Sequence, residues 1–161
     1  MHLHLLLLLL FCSAPLEALA GSWHYNDNAG FGIYVPEGWN ARMDGRRSVI
    51  TGPTNDWQQS SIEIGSDWRF QVKSLEDLRD ELERETSLSP RYSPVSGLEG
   101  FRVGSEIEGA VRILRIPKNV IIIDFFLRGS TAQIEEGQLA LTSIEIRTRG
   151  IESRRHAPAL P

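Results

Sequence analysis

Apolar positions recur along this chain at two periods, and the change between them marks its elements. From Val120 to Leu127 every position is apolar except Asp124. A strand apolar at both parities must be covered on both faces of its sheet, so this segment is expected as a central strand. Phe31, Ile33 and Val35 alternate with Gly32 and Tyr34, and Ser60, Ile62 and Ile64 share a parity within a strand from Gln58 to Ile64. Between them, Ser48, Val49 and Ile50 read as a short strand, and Pro36-Glu37-Gly38 and Asp44-Gly45 are turn signals. Residues Phe31 to Ile64 are therefore expected as an antiparallel meander, with Trp39, Ala41 and Met43 sharing one strand face. After Trp68 the period becomes helical. Ser74 stands three residues before Asp77 as a capping pair, and Leu75, Leu78 and Leu82 follow on one face. Glu76, Arg79, Asp80, Glu83 and Arg84 make the solvated opposite face of a helix ending near Thr86. A second helix is expected from Ser130 to about Leu141, weakened by Gly137, with a short strand at Ile144 and Ile146. Gly21 to Gly30 is polar and turn-rich and reads as an arm; from Gly150 the tail has no pattern and is expected to be disordered.

The turns set a register for the central strands. Ile116-Pro117-Lys118-Asn119-Val120 fits a three-residue hairpin loop, which pairs Arg112 with Asp124, and Glu108-Gly109 reads as a two-residue turn, which pairs Ser105 with Arg112. The resulting face is apolar apart from one row, Ser105/Arg112/Asp124. An Asp inside an apolar strand is desolvated unless it lies at the sheet's margin, and a buried carboxylate is costly without a partner, so an Arg112–Asp124 ion pair is expected to fix the strand register.

Residues 1–20 have the form of a signal peptide: Leu3 to Phe11 is continuously apolar, and Ala18-Leu19-Ala20 matches a small-x-small cleavage site. The run is too short for a bilayer, so no transmembrane segment is expected after cleavage. Cys12 would suggest a lipoprotein, but Phe11 occupies the position where a lipoprotein signal needs a small residue. The expected localisation is export, periplasmic or secreted. Cleavage would leave 17 basic against 20 acidic residues and no cysteine. A mildly acidic chain without a basic block argues against nucleic acid as a partner. No repeat or linker divides residues 21–149, which are expected to form one domain followed by the tail at 150–161.

Three segments, in this order, carry a family resemblance. Gly30-Phe31-Gly32-Ile33-Tyr34-Val35-Pro36-Glu37-Gly38-Trp39 is a strand and turn ending in Trp, Ser74-Leu75-Glu76-Asp77-Leu78 is a helix start, and Gly97-Leu98-Glu99-Gly100-Phe101-Arg102-Val103 is a Gly-x-x-Gly-aromatic strand. Together they resemble the Mog1/PsbP-like group of domains, including small exported proteins of the DcrB type. The resemblance implies an α+β fold in which an antiparallel sheet lies between helices as an α/β/α sandwich. It brings no shared catalytic site, since members of the group resemble one another as accessory or interaction modules.

Candidate chemistry is sparse. Past the leader the histidines are His24 and His156, neither of them in a ligand or triad motif. Gly30-x-Gly32 opens a strand instead of a helix and cannot cradle a phosphate. Asp27 and Asn28 lack the remaining positions of a calcium loop. Glu106 and Glu108 could be a carboxylate pair, but at a hairpin end they read as solvated charges. The exposed aromatics carry more information: Trp57 and Trp68 flank the fourth strand, and Trp23 and Tyr25 lie in the arm. Trp57 and Trp68 are the candidate binding residues, against the plainer reading that they plug the ends of the sheet. The expected function is a non-enzymatic accessory or interaction module with a protein or cell-envelope partner and no cofactor. The alternative is a small-ligand carrier or hydrolase with a pocket at one end of the sheet.

Overall fold

The computed structural model of the protein describes residues 20–53, 59–67, 74–115 and 119–147. Ten strands and two helices form two antiparallel sheets. The strands are β1 (Gly21–Asn26), β2 (Phe31–Pro36), β3 (Asn40–Asp44), β4 (Arg47–Thr51), β5 (Ser61–Asp67), β6 (Arg91–Tyr92), β7 (Gly100–Gly104), β8 (Glu108–Arg115), β9 (Asn119–Phe126) and β10 (Glu145–Ile146). The helices are α1 (Leu75–Thr86) and α2 (Thr131–Thr142). The large sheet runs β3-β4-β5-β9-β8-β7-β6, and the small one runs β1-β2-β10. The fold is thus α+β, built mostly from antiparallel sheet.

The strand that is apolar at both parities, β9, lies at the middle of the large sheet and is covered on both faces. One parity, Ile121, Ile123 and Phe125, enters the main core with Ile62 and Ile64 of β5 and Val111 and Ile113 of β8. Phe31, Ile33 and Val35 of β2 close that core from the other sheet, and Ala140 of α2 joins them. The opposite parity, Val120 and Ile122, meets Leu75 and Leu78 of α1, while Leu82 packs on Val103 and Ala110. The two helices therefore lie on opposite sides of the large sheet.

Both helix starts are capped as their sequences require. Ser74 accepts from the Asp77 amide at 3.1 Å, and Ser130 accepts from the Gln133 amide at 3.3 Å; each N3 side chain returns the bond to the cap amide. These four bonds satisfy donors that the helix itself leaves open.

Several expectations need correction. Gly21–Asn26 is a strand paired with β2, not an arm, and Asn26 makes it so by bonding its side chain to the Ala29 amide and the Gly45 carbonyl. The Pro36-Glu37-Gly38 turn does not return a hairpin: β2 and β3 belong to different sheets, so this turn is a crossing point. Trp39 consequently sits before β3 and is buried, whereas Met43 is exposed, and the two do not share a buried face. Glu108 and Gly109 lie inside β8, and the β7–β8 turn is made by residues 105–107. The small sheet also makes the fold more than a single sheet between helices. The expectations for residues 1–19, for Trp57 and Trp68, and for the tail from Gly150 concern positions outside the described residues.

Buried Arg115 joins the two sheets. Its Nη1 donates to the carbonyls of Ala29 at 2.8 Å and of Gly30 and Arg147 at 3.3 Å. Gly30 has φ 76°, and a Cβ there would meet this guanidinium, so the glycine makes room for it. Burial, reinforced by the nearby Arg46 charge, pushes the Arg115 guanidinium below its usual range.

Candidate functional site

The α1 face of the large sheet is only partly covered. The helix lies over β7, β8 and β9, leaving the same face of β5, β4 and β3 open. That open face shows the alternation of a half-buried sheet. In β5, Ile62 and Ile64 are buried, while Ser61, Glu63, Gly65 and Asp67 on the other parity are partly exposed. In β4, Ser48 and Ile50 are buried and Arg47, Val49 and Thr51 are not.

A row of charges runs across this floor. Glu63 lies directly opposite Asp124, and like charges in that position repel. Each is engaged by an arginine: Arg47 Nη1 reaches Glu63 Oε2 at 3.3 Å, and Arg112 Nη1 reaches Asp124 Oδ1 at 2.8 Å. Arg112 Nη2 also reaches Glu85 Oε2 of α1 at 3.2 Å, which pins the helix to the sheet.

The expected Arg112–Asp124 pair is present, but by a different geometry. Arg112 lies opposite Ile122, and Asp124 opposite Ala110. The two are diagonal neighbours, a distance that a long guanidinium spans and a short side chain does not. Asp124 is not buried: its side chain is 51% exposed, against 9% for Arg112. Ser105 is not in the row, because Phe101 lies opposite Arg112. Ser105 instead holds the β7–β8 turn, accepting from the Ile107 and Glu108 amides at 3.3 and 3.2 Å. Glu106 pairs with Arg102 at the same turn.

Two open depressions lie on this face, the larger reaching the end of α1 at Thr86. A cleft of about 510 Å³ is lined by Ser61, Glu63, Leu88, Val103, Glu108 and Asp124, with Ala110, Phe125 and Phe126 also at its surface. A groove of about 350 Å³ continues along β5 to Gly65 and Asp67 and shares Glu63 and Asp124 with the cleft. The arrangement offers fixed charge beside apolar surface, which is the chemistry of recognition. Glu63, Glu85 and Arg47 were not picked out by sequence reasoning. The signal was available, since the positions alternating with Ile62 and Ile64 are all polar or glycine.

A histidine–serine contact elsewhere has a different character. His24 Nε2 lies 2.9 Å from Ser48 Oγ, which also accepts from Asn26 Nδ2 at 3.1 Å. Ser48 has no exposed surface, so its hydroxyl cannot attack a substrate. Desolvation lowers the pKa of His24 from its ordinary value of 6.5. On the outer face of the small sheet Trp23 stacks on Tyr25 with ring centroids 5.8 Å apart, and the Arg147 guanidinium lies 4.2 Å above Tyr25. Among the described residues no group of three His, Cys, Asp or Glu side chains is placed to hold a metal ion, and no helix is long and apolar enough to cross a membrane.

No protein-family model and no curated protein matches the sequence. A crystal structure from Bacteroides thetaiotaomicron superposes with a TM-score of 0.50 at 16% sequence identity, over 81% of this chain and 50% of that one. This chain thus spans about half the length of that protein, and at such identity the likeness is one of fold alone.

Proposed function

We propose that this protein is an exported, non-enzymatic binding module, and that it engages its partner in the trench beside α1. The observation that carries the reading is the half-covered sheet: a charged β floor, bounded by the end of α1 at Thr86 and by Leu88, forms a cleft of about 510 Å³ that shares Glu63 and Asp124 with a second groove. The apolar leader at residues 1–20 supports export. Helices on opposite sides of a central antiparallel sheet support kinship with the Mog1/PsbP-like domains, to which the small sheet would be an addition. A small-ligand carrier would use the same cleft, whose volume suits a small molecule.

Site-specific photo-crosslinking in the cell envelope tests the binding reading. A crosslinking residue at Leu88 or Glu108 is expected to capture one discrete partner that the same residue at Glu135, on α2, does not. Equal capture from both places, or substrate turnover abolished by a single-site change in the trench, would overturn it. The intact mass of the exported form is expected to begin at Gly21, and a diacylated Cys12 start would refute the soluble form.

A further inference from the structure

We propose that the trench receives an extended, cationic and partly apolar polypeptide segment of about six residues, an inference that rests on the binding reading above. Its shape is the first reason. The cleft and the groove share Glu63 and Asp124 and together follow β5 from Ser61 to Asp67. At about 3.3 Å per residue this stretch is roughly 20 Å long, and an extended chain of about six residues covers the same span. A compact small molecule would occupy only one of the two depressions.

Charge is the second reason. The trench presents five carboxylates, on Asp44, Glu63, Asp67, Glu108 and Asp124, against the guanidiniums of Arg46 and Arg47. Among the described residues the larger cleft is lined by three of those carboxylates and by no cationic side chain. Arg112 beneath the floor offsets Asp124 only in part, since it is shared with Glu85 of α1, and the balance of the described side chains stays acidic. An acidic segment would be repelled in the larger cleft, whereas a basic one meets Glu63, Glu108 and Asp124 there.

The third reason is apolar surface. Leu88 and Phe126 line the larger cleft beside its carboxylates, and a ligand that carried charge alone would leave them in water. A strand-like segment sends successive side chains to opposite sides. Basic residues alternating with apolar ones can therefore present one kind to the carboxylates and keep the other for Leu88 and Phe126.

Fluorescence polarisation with the full chain and a labelled hexapeptide of alternating arginine and valine tests the inference. The peptide is expected to bind, to weaken as salt rises, and to lose about tenfold in affinity for Glu63→Gln combined with Glu108→Gln, since two exposed charge contacts are removed. Glu135→Gln on α2 is expected to change nothing. Both carboxylates are exposed, so the variants should melt as the parent does, and the gentler Glu108→Gln alone gives a second reading if they do not. Equal binding of a glutamate–valine peptide would overturn the cationic chemistry while leaving the binding module standing. Displacement by spermine at equal concentration would overturn the polypeptide. Unchanged affinity in the trench variants, or no binding of the arginine–valine peptide, would overturn the proposal, and the crosslinking at Leu88 and Glu108 then decides the module reading separately.

Discussion

Arg112 and Asp124 share an ion pair but not its consequences. Asp124 is half exposed and can rehydrate when its partner is lost, while the nine-tenths-buried Arg112 cannot. Asp124→Ala is therefore expected to cost only about 1 kcal/mol, because Arg112 keeps Glu85 and two carbonyls. Arg112→Ala is expected to cost about 3 kcal/mol, since it removes a packed side chain and the tie between α1 and the sheet. Chemical denaturation of the two variants checks the order; equal losses would mean that Asp124 is as buried as Arg112. Arg115 makes a similar point about the two sheets. Arg115→Met would leave three backbone carbonyls without this donor. It is expected to lower stability by about 2 kcal/mol, measured in the same way.

The β7–β8 turn shows why some elements were legible in the sequence and others were not. Capped helices announce themselves locally, and α1 ends at Thr86 as its spacing predicts. The alternation of a strand is equally local, so β2, β4, β5 and β9 could be read. Register is not local. The β8–β9 pairing differs from the expected one by two residues and the β7–β8 pairing by four. Both shifts are even, so every side chain kept its face while its opposite neighbour changed. That is why the Arg112–Asp124 contact could be anticipated although the register was not. The decisive residue is Gly104, with φ 89° and no room for a Cβ against the Glu108 carbonyl. Gly104→Ala is expected to destabilise by at least about 2 kcal/mol, because strain and a backbone clash add, and thermal melting checks it. Strand β1 was missed because it is polar and mostly exposed and so lacks a buried stripe; pairing with β2 and the bonds of His24 and Asn26 to Ser48 order it instead. With Asn26 donating to Ser48 Oγ, the serine hydrogen finds its acceptor in neutral His24 Nε2. The folded-state pKa of His24 lies below the ordinary 6.5. Its contribution is therefore complete above pH 6.5 and fades as pH falls through the folded value. Amide exchange in β1 is expected to quicken on acidification relative to β4, and His24→Gln to flatten that dependence.

At the scale of the whole molecule, the two sheets share one core but draw on the chain very differently. The large sheet is assembled mainly from neighbouring hairpins, β3-β4-β5 and β7-β8-β9, joined by the β5–β9 pairing. In the small sheet, Glu145 and Ile146 pair with Gly32 and Phe31, across nearly the whole described chain. The core face of β2 is covered by β5, β8 and β9 and by Ala140 and Ile144, and its second edge is paired only when β10 arrives. A ribosome or a translocation channel delivers the chain from its amino terminus, so the first long apolar strand emerges well before its covering. Pairing over such separations is slow relative to hairpin closure. The order of synthesis thus leaves Phe31, Ile33 and Val35 available to a chaperone until β8, β9 and α2 have followed them.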